Sequence, residues 1–235
     1  MRYLAIPLLL TACACTVDPG PSPGGPEPSA GAHATTSSAV TGVDPDARRA
    51  AALGAAVRLA ATVDATRAPK GLAASDFSVQ ASLDEYVAFL DDIADHGPSA
   101  QIVLTGRSAH LVSAGDTYQS VVFIKANGGK PAFSELHGDD LATPLADALH
   151  TLSTTEHADD DAFFLVTVPA LHLTTIGYRV GGAMMLAPLT TRPDLSLLAG
   201  KSQPATTMFA SLASPARRAA AQEKSRLASA QGAKQ

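Results

Sequence analysis

Cysteine is nearly missing from this chain of 235 residues: its two copies, Cys13 and Cys15, both stand close to the start. A folded region made from the rest therefore has no disulfide framework, no thiolate metal site and no thiol nucleophile. Tryptophan is absent and aromatics are 5% of the residues, while much of the 46% apolar content is alanine, which packs little area per residue. Long apolar runs are lacking as well. The stretch Leu4–Leu10, interrupted by Pro7, is far short of the roughly 20 residues that cross a bilayer as a helix. No GxGxxG, GxxxxGK, HExxH or GxSxG pattern occurs, which removes the commonest signatures of dinucleotide, nucleotide, zinc-protease and serine-hydrolase chemistry.

The first stretch with positive content is Leu10-Thr11-Ala12-Cys13, preceded by Met1-Arg2-Tyr3 and the short apolar run. One basic residue, a brief apolar segment and small side chains before a cleavage point make a signal rather than a membrane helix. The four residues resemble the lipobox of bacterial lipoproteins. That resemblance implies cleavage before Cys13, lipidation of its sulfur, and an envelope protein held to the membrane through that lipid. Several acyl chains, as that family carries, anchor firmly where one anchors only marginally. Ala14 in the next position implies outer-membrane sorting in a Gram-negative cell. Cys15 fits less well, since Ala12 would stand where the aliphatic residue belongs.

Composition then divides the chain into a signal (1–12), a lipidated Cys and Pro/Gly/Ser tether (13–43), an Ala-rich helix with its linker (44–74), a main domain (75–200) and a basic, Ala-rich tail (201–235). The tether is expected to be disordered, because Pro, Gly, Ser and Thr bury too little to offset chain entropy. Charge follows the same division. Residues 75–200 hold sixteen Asp/Glu against five Lys/Arg, leaving −11, whereas 201–235 hold six basic residues and Glu223 alone, leaving +5. An acidic body argues against nucleic acid as a partner. The opposite charges predict that the tail, or the early helix with Arg48, Arg49 and Arg58, lies against the domain. For the tail that docking is expected to be mainly electrostatic, with Leu227 as its one large apolar residue after Ser214.

Local patterns predict a helix from Asp44-Pro45 to about Thr66. A second is predicted from Ser82-Leu83-Asp84-Glu85, which has the form of a capping box ahead of Leu83, Tyr86, Val87, Leu90 and Ile93. Strands are expected at 100–106, 119–126, 132–137, 162–168, 171–180 and 183–189, with Asn127-Gly128-Gly129 and Gly181-Gly182 as hairpin turns. A helix opens at Asp139-Asp140 or Thr143-Pro144. This order predicts an α+β domain, a mostly antiparallel sheet packed by two helices and preceded by the tether and the Ala-rich helix.

Chemistry-bearing residues are few. Glu135, His137 and Asp139 would share one face of an extended strand, supplying two carboxylates and an imidazole of the kind that hold a divalent metal. The same residues also read as a polar strand face followed by a helix cap. Ser108 and His110 share a face too, with no acid or oxyanion donor in sight, and read as a polar strand end. Glu156 to Asp161 form an acidic loop without calcium-loop spacing. The leading expectation is a non-catalytic lipoprotein domain with an envelope protein partner and no cofactor. The alternatives are a metal-dependent or hydrolytic enzyme using Glu135, His137 and Asp139, or a small-ligand carrier lined by Phe123, Phe133, Phe163 and Phe164.

Overall fold

The turn Gly128-Gly129 shows how directly local chemistry sets the strand pairing. Both glycines have positive φ, 58° and 75°, so a two-residue loop joins β3 (Tyr118–Asn127) to β4 (Lys130–His137) with Asn127 opposite Lys130. Gly181 and Gly182, with φ of 55° and 84°, do the same between β6 (Leu173–Val180) and β7 (Ala183–Pro188). The structure, a computed structural model, describes residues 42–60, 72–115, 118–155 and 163–232, all within one compact unit. The lipobox, nearly all of the tether and the acidic loop 156–161 lie outside the described residues.

The domain is α+β. Its eight strands form one sheet in the order β4-β3-β2-β1-β5-β6-β7-β8, where β1 is Phe77–Ala88, β2 Ile102–Ala114, β5 Phe164–Val168 and β8 Gln203–Pro204. All neighbours pair antiparallel except β1 with β5. Helices cover both faces. On one, α3 (Asp139–Thr155) buries Ala142, Leu145, Ala148 and Leu152 against Leu83, Leu111, Phe123, Leu165 and Ile176. The other face has two covers. Over β1–β4, α1 (Pro45–Ala60) packs Ala52, Ala55 and Ala56 on Phe77, Val112, Val122 and Ile124. Over β5–β7, α2 (Leu90–His96) and α4 (Ala205–Gly232) bring Ile93, Met208, Phe209 and Leu212 onto Val166, Leu173 and Leu186.

Two expectations are corrected here. Ser82 to Ala88 is not a helix start but the second half of the central strand β1, hydrogen-bonded on both sides. Its apolar residues satisfy period two as well as period 3.6. Leu83 packs under α3, Tyr86 and Ala88 pack on the opposite side, and two-sided sheet pairing decides between the patterns. The helix that follows starts only at Leu90 and ends at Gly97, whose φ is 51°. The tail is also more than a basic appendage. Helix α4 starts at Ala205, and Met208, Phe209 and Leu212 are each at most 1% exposed, so its first half docks by apolar burial rather than charge. Ala221 to Arg226 farther along are exposed.

Close packing marks one glycine. Gly177 on β6 faces Phe164 across the strand pair, and the phenyl ring fills the place where a Cβ would stand. Phe164 is held there edge-on by Tyr86, with ring centroids 5.1 Å apart. His172, read as part of β6, instead sits just before it in a left-handed corner of φ 47°. Arg192 pins that corner, its Nη1 donating to the carbonyls of Leu171 at 2.5 Å and His172 at 2.8 Å.

Candidate functional site

Three groupings of polar residues arise from this sheet, two of them from residues singled out in the sequence. The first lies on the α3 face. A bulge between Phe123 and Ile124 puts Glu135 opposite Phe123, and His137 falls opposite Val121 on the same side. Glu135 and His137 do meet: Oε1 and Nε2 are 3.3 Å apart. Their shared neighbour is Arg107, whose Nη2 donates to Glu135 Oε1 at 2.6 Å and whose guanidinium carbon stands 4.6 Å over the Phe123 ring. Arg107 Nε also comes within 3.1 Å of Glu85 Oε2, an ion pair by distance only, because its N–H is not aimed at that oxygen. Glu85 is buried and takes its properly directed hydrogen bond from Thr105 Oγ1 at 2.9 Å. Burial pushes the Glu135 carboxyl up, but hydrogen bonds from Arg107 and His137, with their charges, outweigh it and hold it below its usual range.

This arrangement serves ion pairing. Asp139 opens α3 in its first turn, and among the described residues no three His, Cys, Asp or Glu side chains gather in a form that could hold a metal. A cation at Glu135 would have to displace the guanidinium already there.

The second grouping lies on the opposite face, under α1. Ser82 pairs with His110 and Asp84 with Ser108 across β1 and β2. Ser108 Oγ is 2.8 Å from His110 Nε2, and Ser82 Oγ is 3.0 Å from its Nδ1. Far from being a polar strand end, Ser108 and His110 are 3% and 1% exposed. Burial first, then the charges of Arg48 and Arg49, push the imidazole down to about 4, so it is neutral at pH 7. A neutral ring accepts at one nitrogen and donates at the other, which two hydroxyls satisfy completely. A serine beside a histidine is the start of a nucleophile–base pair, but here the far nitrogen meets a hydroxyl rather than a carboxylate.

The third grouping was not visible in the sequence. An open groove of about 760 Å³ runs between the second half of α3 and the ends of β1, β2 and β3. Ala81, Leu111, Ala146 and Leu149 form its apolar part, and Ser78, Gln80, Ser113, Gln119, His150 and Ser153 its polar part. Among the described residues lining it, none carries a carboxylate, ammonium or guanidinium. Gln80 Nε2 donates to both Ser78 Oγ and Ser113 Oγ at 2.7 Å. With those oxygens accepting, two serine O–H protons and the Gln80 carbonyl remain to be offered to a ligand. Sequence could not assemble this set, because it joins residues from Ser78 to Ser153 through sheet register and helix packing. The four phenylalanines expected to line a carrier pocket do not converge. Phe123 and Phe163 are buried on the α3 side, Phe164 packs on the other face, and Phe133 is 43% exposed. Comparisons with protein-family models, curated proteins and solved structures find nothing that matches this chain.

Proposed function

We propose that this chain is a lipid-anchored, non-catalytic binding domain of the cell envelope, and that its groove beside α3 receives the ligand. The lipobox-like segment ending at Cys13 supports the anchor and the envelope location. The observation that carries the binding role is the Ser78–Gln80–Ser113 array, which presents hydroxyl donors and one amide acceptor at the rim of a groove whose described lining carries no carboxylate, ammonium or guanidinium. Such a surface suits an uncharged, hydrogen-bonding ligand, because its described residues leave neutral donors and an acceptor to be satisfied. An envelope protein segment is the partner this reading favours.

The anchor is tested by fractionation. Cys13→Ser is expected to move the protein from the membrane fraction to the soluble one and to abolish lipid labelling. A Cys13→Ser protein that stays membrane-bound and labelled, while Cys15→Ser does not, would shift the anchor to Cys15. The groove is tested by filling it: Ala146→Trp puts an indole across it from a half-buried helix position. Partner capture is expected to be lost with the melting temperature kept within a few degrees of the parent.

A further inference from the structure

Helix α1 covers the sheet mostly with small side chains, with Leu53 and Val57 half-buried at its margin. Its buried side chains are alanines, together with Val43 just before it and one charged group, Arg48. Arg48 is 5% exposed, and its Nη1 meets Asp84 Oδ1 at 3.3 Å while its buried Nε has no acceptor. Asp84 stands opposite Ser108 on this same face, so a buried guanidinium and a buried imidazole lie beside a carboxylate that is 37% exposed. The charged groups presented to His110 are Arg48 and Arg49 from α1 and Asp84 from β1. β3 adds Ser120, Val122 and Ile124 on this face and β4 adds Leu136, none of them charged.

We propose that α1 is a releasable strap and His110 its trigger: protonating the imidazole puts a further cation under Arg48 and Arg49, and α1 lifts off while α2, α3 and α4 stay docked. The separation of packing clusters supports the selectivity. The side chains under α1 are not those under α3 or under α2 and α4, so losing α1 leaves both of those cores intact. Release would uncover Ser108 and His110 together with an apolar strip that includes Val112 and Val122. Because α1 lies between Cys13 and β1 in the chain, release would also lengthen the segment joining a lipid at Cys13 to the sheet.

The sign follows from proton linkage. The docked state holds the imidazole near 4, and release returns it toward its ordinary 6.5. The released state therefore binds more protons, and docking is full above pH 6.5 and weakens as pH falls toward 4. With those two values, the release equilibrium at pH 5 is about 30-fold that at pH 7.5.

Hydrogen exchange on the full chain at the two pH values, corrected for intrinsic rates, decides the matter. Amides of residues 45–60 are expected to lose about 30-fold in protection at pH 5, with those of 139–155 unchanged. His110→Gln should remove the difference. If that variant does not fold, Arg48→Met serves instead: taking away one of the two cations that add to burial should shrink the pH response measurably below 30-fold, with α3 still protected. Loss of protection in α1 and α3 together would mean that acid opens the whole domain and would overturn the strap. So would a pH response in α1 that is unaltered in His110→Gln or Arg48→Met.

Discussion

Phe209→Ala is expected to lower the unfolding free energy by about 3–5 kcal/mol, and deletion from Ala205 onward to leave a chain that does not fold. Phe209 is 1% exposed and lies with Met208, Leu212 and Ala216 against Ile93, Val166, Leu173 and Leu186. Removing one such ring costs its transfer free energy and leaves a cavity that a close-packed sheet fills poorly. Met208, Phe209 and Leu212 together represent several such losses, comparable to the whole 5–15 kcal/mol that holds a typical domain folded. Deletion also removes the hydrogen bond from Arg217 Nε to the Ala94 carbonyl, 2.9 Å long, which ties α4 to α2. Lys224→Ala and Arg226→Ala, at exposed positions of the same helix, are expected to change stability by no more than about 0.5 kcal/mol. Urea titrations of the three variants test the contrast. Equal effects would mean that α4 does not pack as described.

Arg107→Met is the second large effect, with an expected loss of about 2–4 kcal/mol. The full cost of orphaning a buried partner is about 3–5 kcal/mol, and it is reduced here because the Arg107 side chain is 26% exposed and water reaches it. What matters is the carboxylate left behind. Glu85 is 7% exposed and would keep only Thr105 as a side-chain donor, whereas Glu135, at 45%, can turn to water. Glu135→Gln is therefore expected to cost only about 0–1 kcal/mol, though it breaks the shorter of the two contacts. Glu85→Gln placed on top of Arg107→Met should recover part of the loss, since it removes the uncompensated charge. A chemical-denaturation cycle over the parent, Arg107→Met, Glu85→Gln and the double variant gives the coupling directly. For Glu135, whose carboxyl is held below its usual range, the contribution is present above the ordinary value near 4.5 and fades as pH falls through the lowered one.

The fold class and most strands were legible because their signals are local. Paired glycines with positive φ write the two hairpins into the chain, and the continuous apolar run in β3 speaks for burial on both faces. β1 was misread because Ser82 and Glu85 look like reciprocal helix caps. In the structure Ser82 serves His110 and Glu85 lies beside Arg107, partners 28 and 22 positions away. α4 was undervalued because its anchors, Met208 and Phe209, lie in the 201–235 tail ahead of Ser214, whereas the expected helix began at Ser214, after which Leu227 is the one large apolar residue. Glu135 and His137 were correctly placed on one face, yet Arg107, which organises them, comes from another strand. Ser108 and His110 were likewise paired correctly by period two, but nothing in their own stretch told of Ser82, or of α1 above them. The groove was the least legible feature, since no single segment supplies more than four of its lining residues.

The proposed binding role stands or falls on whether the groove is where the molecule meets something else in the envelope. Site-specific photocrosslinking in intact cells measures this, with a photoreactive residue at Gln119 inside the groove or at exposed Gln101 outside it. The account predicts a discrete crosslinked species from Gln119, absent from Gln101 and lost when Ala146→Trp fills the groove. Crosslinking that is equal from both positions, or that persists in the filled variant, would contradict it.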